Sequence, residues 1–317
     1  MTRKLLARWE WVKDTGGSAG VLLVIALFAG CGSAPPPPPQ TDPYGPRVAQ
    51  CVQMPHPVSD MAEAHMVAMD AGPAVLGSTE AERAQARRDY GQGGEKLFSD
   101  EAHVRRAHLS AFRIDRTPVT IAAYRELIEA CGITPPNVQT LTQAAWNALQ
   151  QRLHLSHGYA QIARFLWDDH DPPPDHARHP VVLVNQDEAG LYCAWRGARL
   201  PSADEWERAA RGQQGRIYPW GDGYDPFRVN TAKRATGEPL PVASLPQGAT
   251  PDGIFDLGGN VYERTVSPVP GRKHTFVVKG NGWDGRGGYG RGAAALAVQA
   301  DARSVNLGFR CASGEAQ

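Results

Sequence analysis

The final third of the chain lacks the periodic patterns that build long helices and strands. From Gly212 onward it is rich in glycine, proline and aromatic residues, as in YPWGDGYDPF from Tyr218 to Phe227. Turn-forming residues without an apolar period are typical of loops. The sequence therefore predicts an α+β fold with little regular secondary structure, in which packed loops form much of the domain.

Glycine is most concentrated in KGNGWDGRGGYGRG, residues 279–292, where seven of fourteen residues are glycine. We call residues 279–292 the glycine segment. Because glycine loses more backbone entropy on folding than other residues, this concentration indicates a physical requirement. Three explanations are open. They are a dinucleotide loop with the GxGxxG pattern at Gly280, Gly282 and Gly285, an RNA-binding segment, and a loop that lets a ligand or another chain approach closely.

The rest of the sequence disfavours both nucleotide explanations. Lys+Arg and Asp+Glu both number 33, so no basic surface that would attract RNA is expected. No helix is predicted after Gly285, so the loop lacks the helix N-terminus that binds phosphate in dinucleotide folds. We therefore expect no nucleic-acid partner, and close approach of a ligand or chain remains as the explanation.

The first thirty residues predict export. Arg3 and Lys4 begin a basic region, which is followed by the apolar run VLLVIALFAG from Val21 to Gly30. This run of ten residues is too short to span a bilayer. A cleaved secretory signal over residues 1–30 is therefore favoured over an uncleaved anchor.

The residues after the apolar run predict a lipid anchor. LFAGC resembles a bacterial lipobox, which implies that Cys31 is lipidated and becomes the new N-terminus. APPPPPQTDPYGP, residues 34–46, predicts a stiff extended spacer because proline locks φ. We expect three parts: a signal peptide (1–30), an anchor with a proline-rich stalk (31–65) and a globular domain (66–317). The expected location is a bacterial membrane, in the outer membrane facing the periplasm or the surface.

Local patterns predict a few regular elements in the domain. We expect a strand pair over 66–78 and a surface loop over 80–106. A further strand is expected over 109–120, followed by a helix over 121–130. Residues 135–178 are predicted to be irregular. Two further helices are expected over 187–197 and 203–211, the second with a capping box of Ser202 and Glu205.

Half of the ten histidines lie close together in the predicted irregular part: His154, His157, His170, His176 and His179. These histidines could be proposed as metal ligands, but their spacing matches no known ligand pattern. The proline-broken run DDHDPPPDHARHP is more typical of solvated surface. We expect a surface loop here rather than a metal centre.

The cysteines predict disulfides. If Cys31 carries lipid, four cysteines remain, namely Cys51, Cys131, Cys193 and Cys311. An even number in an oxidising compartment predicts disulfides, whose pairing stays open on this argument. No CxxC spacing is present, so a zinc knuckle or a thioredoxin-type motif is not predicted.

Several motifs in order give the domain a family resemblance. HPVVLVNQDEAGLYCAWRGARLPSADEWERAARG, His179 to Gly212, resembles the signature of the formylglycine-generating enzyme family, also called sulfatase-modifying factors. AVLGS and FRIDRTPVTIAAY precede it, and YPWGD, DGIFDLGGNVYE and NLGFRCA follow it. The resemblance covers roughly residues 66–314 and implies the family's variant of the C-type lectin fold, an α+β fold poor in regular structure.

The resemblance implies that the family's chemistry is absent. Family enzymes convert a sulfatase cysteine to formylglycine with molecular oxygen and Cu(I), which suits the soft thiolates of two active-site cysteines. Gly285 and Gly290 stand at those two positions, and Gly282 stands at the family's active-site serine. The resemblance therefore implies no catalytic residue and no copper. A further family disulfide has also been lost, since its positions align with Ala210 and Ala295.

The resemblance also implies a calcium site built from two carboxylates and two main-chain carbonyls, those of Asp256, Gly259, Val261 and Glu263. The alternative is that Asp256 caps a turn and Glu263 faces solvent. A second family calcium site is expected to be broken. Asn230 and Thr231 remain there, but the acidic loop that would follow them is shortened.

Three more features follow from the comparison with the family pattern. Cys193 and Cys311 match a family disulfide, whereas a bridge between Cys51 and Cys131 has no family counterpart. Family members usually read NxWEW where this chain reads NVYER, residues 260–264. Tyr262 thus replaces one tryptophan and Arg264 the other, which alters the former substrate groove.

Three functions are compatible with such a domain. The first is a lipid-anchored, non-oxidase binding module that uses the former substrate groove for a peptide, protein or glycan. The second is a formylglycine-generating oxidase acting on exported sulfatases, and the third is a related enzyme with non-haem iron. The second lacks its ligands and the third lacks a compact set of two histidines and one carboxylate. The sequence therefore favours the binding module.

Overall fold

The structure is a computed structural model that describes residues 50–51, 65–90, 101–133, 135, 142–153, 157–168 and 170–315. The chain divides into two compact units, Met1–Thr41 and Asp42–Gln317, and every described residue belongs to the second. The predicted signal, Cys31, the spacer and His154 lie outside the described residues. Among the helices that are described, none is long and apolar enough to cross a membrane.

The helices are short, and three of them were expected. The described helices are α1 (Glu80–Tyr90), α2 (Ile121–Cys131), α3 (Gln143–Leu153), α4 (Tyr159–Ile162), α5 (Gln186–Trp195) and α6 (Ala203–Arg211). Helices α2, α5 and α6 confirm the predictions. The capping box of α6 is also confirmed, since Ser202 Oγ accepts from Glu205 N at 3.1 Å and Glu205 Oε2 from Ser202 N at 2.7 Å.

The strands form three small sheets in the described part of the chain. They are β1 (Met66–Met69), β2 (Gly72–Leu76), β3 (Arg105–Leu109), β4 (Phe112–Asp115), β5 (Tyr262–Pro268), β6 (Thr275–Gly280), β7 (Ala295–Gln299), β8 (Leu307–Phe309) and β9 (Ala312–Ser313). Their orders are β1-β4-β9, β2-β3 and β7-β6-β5-β8. Every pair is antiparallel except β5 with β8.

The prediction of a surface loop over 80–106 is wrong, because α1 occupies its first part. Thr79 and Glu82 start the helix as a capping box: Thr79 Oγ1 accepts from Glu82 N at 3.1 Å, and Glu82 Oε2 accepts from Thr79 N at 2.6 Å. The buried face of α1 carries Ala86 and the guanidinium-bearing Arg83. Because a charged residue lies on that face, the sequence lacks the helical repeat of apolar residues from which a helix is predicted.

Residues 135–178 are also more regular than predicted, since they contain α3 and α4. Trp146 of α3 is fully buried, and its Nε1 donates to His157 O at 2.9 Å. It packs in an apolar cluster with Ile162 and Phe165. Single large side chains of this kind bury a helix without giving it a periodic apolar stripe.

Two disulfides lie in the described structure. Cys193 is joined to Cys311, which confirms the implied pairing, and Cys51 is joined to Cys131. The first bridge connects α5 with the residues between β8 and β9, and both of its cysteines are fully buried in the main apolar core. The second bridge ties residue 51 to the last residue of α2. The Cα–Cα distance is 5.6 Å in both.

The four-stranded sheet positions the glycine segment. Strand β6 ends at Gly280, which pairs with Tyr262 of the neighbouring strand β5. Tyr262 in turn pairs with Leu307 of β8. The segment thus leaves the sheet at a point where side chains of β5 and the residues just before β8 can close over it.

Candidate functional site

The glycine segment begins in β6 and continues through a loop into a 3₁₀ turn, Gly287–Gly290. No α-helix follows the loop in the described chain, so the helix N-terminus of a dinucleotide site is lacking. The loop is closed on itself by hydrogen bonds: Gly285 N donates to Gly282 O at 2.9 Å, and Asn281 Nδ2 donates to Arg286 O at 2.8 Å.

The two positions at which the family carries cysteines have no room for a side chain. A Cβ added at Gly285 would overlap Asn281 Oδ1 and lie 2.8 Å from the Tyr262 hydroxyl oxygen. A Cβ added at Gly290 would lie 2.5 Å from the main-chain oxygen of Gly258. Both separations are far inside the contact distance of non-bonded atoms. A thiol-bearing side chain at either position would therefore have no space in this structure.

The serine position is closed in the same way. A Cβ at Gly282 would lie 2.7 Å from Asp284 Oδ1 and 3.0 Å from both Asn306 Cβ and Tyr262 Cε2. Burial, followed by the nearby Asp284 charge, raises the pKa of the Tyr262 phenol above its usual range. The phenol therefore stays protonated and fills the site as a neutral group.

Asn281 fills the space over Gly285, and this placement lowers the stability of the fold locally. Its side chain is fully buried, and its Oδ1 accepts no hydrogen bond from the described residues. A buried acceptor without a partner costs about 1–3 kcal/mol. The amide is held in place by its Nδ2 bond to Arg286 O and by packing.

An acid–base pair that the sequence did not reveal holds the loop from the other side. His157 Nε2 lies 3.1 Å from Asp284 Oδ2, and Asn306 Nδ2 donates to Asp284 Oδ1 at 2.9 Å. Burial alone would raise the pKa of Asp284, but the hydrogen bonds from His157 and Asn306 outweigh it and lower the pKa. His157 is buried, and it lies outside the run DDHDPPPDHARHP for which a solvated surface was expected. Its partner is 127 residues away in the sequence, and a lone aspartate among glycines was the only local signal.

The outer surface of the glycine segment is aromatic and cationic. Trp283 and Tyr289 are half-buried, and Arg286 is exposed. Trp283 Nε1 donates to Val305 O at 3.1 Å, which fixes the indole in place. The Arg286 guanidinium has no carboxylate within salt-bridge distance among the described residues. The surface therefore offers one positive charge together with two half-buried aromatic rings.

The predicted calcium residues lie around a buried ion pair. Glu263 is fully buried, so the alternative in which it faces solvent is wrong. Its Oε2 accepts from Trp206 Nε1 at 2.7 Å and from Arg310 Nε at 2.6 Å, and its Oε1 accepts from Arg310 Nη2 at 2.7 Å. Asp256 has a positive φ of 64°, and its Oδ2 accepts from Ala243 N at 2.8 Å.

The donor chemistry at this place suits calcium. Burial, with the Glu263 charge adding to it, raises the pKa of Asp256 to about 6 against the opposing effects of Ala243 N–H and Arg310. Arg310 forms its ion pair with Glu263, and Asp256 has no salt bridge among the described residues, so a cation or a proton is favoured at Asp256. Oxygen donors from carboxylates and from the Gly259 and Val261 carbonyls are those that calcium prefers. No described group of three His, Cys, Asp or Glu residues could hold a metal ion, so such a site would depend on main-chain oxygens. Calcium here stays a prediction.

The second family calcium position is occupied by hydrogen bonds within the protein. Asn230 Oδ1 accepts from Thr236 Oγ1 at 2.9 Å, and Asn230 Nδ2 donates to Asn260 Oδ1 at 3.1 Å. Ala210 and Ala295, at the positions of the lost family disulfide, are both buried.

Comparison with known proteins agrees with this geometry. Residues 52–314 match the family described as "Sulfatase-modifying factor enzyme 1-like domain". The "Inactive C-alpha-formylglycine-generating enzyme 2" of Bos taurus is 33% identical over 244 residues, 68% of this chain and 81% of the relative. The "Formylglycine-generating enzyme" of Streptomyces coelicolor is 30% identical over 258 residues, 67% of this chain and 81% of the relative.

Further matches show the fold or part of it. The "Hercynine oxygenase" of Mycolicibacterium thermoresistibile is 33% identical over 192 residues but covers 53% of this chain and 38% of its own. Among solved structures, PvdO from Pseudomonas aeruginosa has a TM-score of 0.55 and 20% identity, covering 78% of this chain and 93% of its own. Treponema denticola variable protein 1 has a TM-score of 0.52 and 16% identity, covering 78% and 94%. The predicted α+β fold is confirmed.

Proposed function

Since the chain belongs to the formylglycine-generating enzyme family, we propose that it is a binding module that has lost the family's oxidase chemistry. In this proposal the domain is exported, is anchored to a bacterial membrane through lipidated Cys31 and binds a peptide, protein or glycan partner at the former substrate groove. The alternative is an oxidase that acts on exported sulfatases.

One observation carries the loss of oxidase chemistry. Gly285 and Gly290 not only lack thiols, they lie where Asn281 Oδ1 and Gly258 O leave no space for a Cβ. Cu(I) needs soft donors at a fixed separation, and none is available in the segment. Cys193 and Cys311 cannot replace them because they are joined in a disulfide. The name of the bovine relative, which describes it as inactive, supports the same conclusion for this chain.

The outer face of the glycine segment supports a role in binding. Tryptophan, tyrosine and arginine dominate the energetics of protein interfaces, and rigid side chains lose little entropy on binding. Trp283, Tyr289 and Arg286 provide this combination on a surface whose interior is closed. Arg286, which has no carboxylate within salt-bridge distance among the described residues, favours a partner that presents a carboxylate.

Co-purification from membranes tests the binding function. The full-length protein is extracted with detergent and chemically cross-linked, and partners are identified by mass spectrometry. In an Arg286→Glu variant, partner capture should fall at least tenfold, because the charge that this surface presents is inverted. Arg106→Glu is the matched control, since Arg106 is an exposed arginine on β3, remote in sequence from the glycine segment. Equal capture by both variants would contradict the proposal.

An activity assay tests the alternative. The protein should leave a cysteine-containing sulfatase-type peptide unchanged, with or without added Cu(I). A variant with Gly285→Cys, Gly290→Cys and Gly282→Ser should not regain linear Cu(I) binding in competition with a Cu(I) chelator, because each new Cβ meets an occupied position. Formylglycine production by the unmodified protein above a no-enzyme control would establish the oxidase instead.

Fractionation tests the anchor. Replacing Cys31 with serine should leave the precursor unprocessed or release the protein to the soluble fraction, because acyl chains contribute about 0.8 kcal/mol per buried methylene. A processed Cys31→Ser protein that still sediments with membranes would argue for another means of attachment.

A further inference from the structure

A cavity of about 280 Å³ lies beside the glycine segment and is used by none of the features described above. It is bounded by α1, by the loop 217–224 and by Arg291 at the end of the segment. The residues that matter for its chemistry are Glu82, Tyr218, Asp222, Gly223, Tyr224 and Arg291. Its volume is slightly below the range of pockets that hold drug-sized molecules, so it suits a ligand with a single ring.

Aromatic rings form one wall of this cavity. The Tyr218 ring lies 5.7 Å from the Tyr224 ring and stacks on Trp220 at 5.3 Å, with 14° between the planes. The Tyr224 ring rests on the backbone of Gly287: a Cβ added there would overlap Tyr224 Cζ and lie 2.8 Å from Cε2. Glycine at position 287 is therefore required to hold Tyr224 where it lines the cavity.

Two charged groups around the cavity, Glu82 and Arg291, are paired within the protein. Glu82 Oε1 accepts from Arg211 Nη2 at 3.0 Å, and its Oε2 caps α1 at Thr79. Arg291 forms an ion pair with Glu101 and donates to Ser78 Oγ at 3.2 Å.

Asp222 is the exposed carboxylate of the cavity. Its Oδ1 accepts from Ile217 N at 3.1 Å, which leaves Oδ2 as an acceptor for a ligand. A ligand in this cavity would therefore meet ring faces and a hydrogen-bonding carboxylate.

From this combination we propose that the cavity binds one neutral sugar residue of a glycan, beside the glycine segment. A sugar ring has an apolar C–H face that packs on an aromatic face, and its hydroxyls donate to carboxylate oxygens such as Asp222 Oδ2. Pockets of this type combine aromatic walls with a few polar groups that fix the orientation of the ligand. The inference deepens the proposed binding function by naming a ligand class and a place for it.

Saturation-transfer NMR on the purified full-length protein tests the ligand class. The probes are the methyl glycosides of glucose, galactose, mannose and N-acetylglucosamine, with tetramethylammonium as a cationic probe. At least one glycoside should receive saturation, and tetramethylammonium should receive none. Binding of tetramethylammonium alone, or of no probe, would overturn the proposal.

A variant that fills the cavity tests whether the sugar binds there. Gly223 lines the cavity, its φ is not in the left-handed region, and a Cβ there meets nothing within 4 Å. Gly223→Phe should fill the cavity and weaken glycoside binding at least tenfold. Gly190→Phe is the control, since Gly190 is equally open but lies on α5 outside the cavity. Unchanged affinity in Gly223→Phe would overturn the proposal.

A second variant tests the same site in case Gly223→Phe misfolds. Asp222→Asn removes a charged acceptor from the cavity with little change in shape and should weaken glycoside binding severalfold, while unchanged affinity would count against the proposal. Neither variant touches Arg286. A failed sugar test together with Arg286-dependent partner capture would therefore reject this inference and leave the proposed function standing.

Discussion

Residues 186–211 and the glycine segment lie in one domain but are held by different means. Helices α5 and α6 begin with capping boxes at Asn185 and Ser202, and a disulfide ties α5 to the core. The glycine segment has no comparable cap. Two hydrogen bonds within the segment close its loop, and side chains from elsewhere, Tyr262 and His157, pack against it. Local rules therefore fix the scaffold, whereas distant neighbours fix the site. A site of the second kind can lose its chemistry while the scaffold stays intact.

The largest effect should come from breaking the scaffold's covalent link. Replacing Cys193 and Cys311 with alanine removes a cross-link between residues 118 positions apart. The chain-entropy relation gives a loss of about 4–5 kcal/mol in the free energy of unfolding. Denaturant unfolding of the oxidised parent and the variant measures this loss. A loss below about 1 kcal/mol would show that α5 is held without the bridge.

A smaller effect should come from overfilling the site. Gly285→Ala places a methyl group on Asn281 Oδ1 and should cost about 1–3 kcal/mol, as overpacking does. Adding Asn281→Ala should recover part of that loss, because the colliding amide is gone while the Tyr262 hydroxyl oxygen still lies 2.8 Å from the new Cβ. A double-mutant cycle by thermal unfolding measures the coupling between the two positions. Additive effects would mean that Asn281 does not close the space over Gly285.

Two acidic groups, Asp256 beside the Glu263–Arg310 ion pair and Asp284 in the glycine segment, should respond to pH with opposite sign. The folded pKa of Asp256 is raised to about 6, so stability falls as the pH rises from about 4, where the unfolded carboxyl titrates, through 6. The pKa of Asp284 is lowered, so its contribution is present above about pH 4 and is lost on further acidification.

Added calcium should distinguish Asp256 from Asp284 further. If calcium binds the Asp256 carboxylate, it should raise the melting temperature more at pH 7.5 than at pH 5, because the proton competes for the same group. Asp256→Asn should abolish both the calcium shift and the fall in stability above pH 4, and Asp284→Asn should leave the calcium shift unchanged. An equal calcium shift in Asp256→Asn and the parent would place the ion elsewhere.

The smallest effect on stability should come from the surface of the segment. Arg286→Glu should change the free energy of unfolding by less than about 0.5 kcal/mol, because exposed positions away from caps and buried networks tolerate substitution. The same variant is expected to lose its partner, so stability and binding separate at this residue. A destabilisation above 1 kcal/mol would assign Arg286 to the scaffold.

The sequence predicted best where neighbouring residues determine the structure. The Ser202–Glu205 capping box places α6 because both partners lie within one turn. The order of the motifs gave the fold and the Cys193–Cys311 pair through the family. Helix α1 was missed because Arg83 occupies its buried face, although the Thr79–Glu82 box that starts it was visible in the sequence.

The site was predictable only in part. Loss of the copper ligands followed from Gly285 and Gly290 directly. The closure of their space did not, because it depends on Tyr262 reaching across from β5 and on Asn281 folding back over the loop. The pairing of His157 with Asp284 likewise depends on tertiary structure that brings two unpatterned segments together.

The Cys51–Cys131 bridge determines how the domain carries mechanical load. Tension applied to the chain before residue 51 passes through the sulfurs into the end of α2 before it can reach β1. Strand β1 lies at the edge of its sheet, and an edge strand pulled from one end opens one hydrogen bond at a time. By diverting force into a helix packed in the core, the bridge shields that edge from being peeled away.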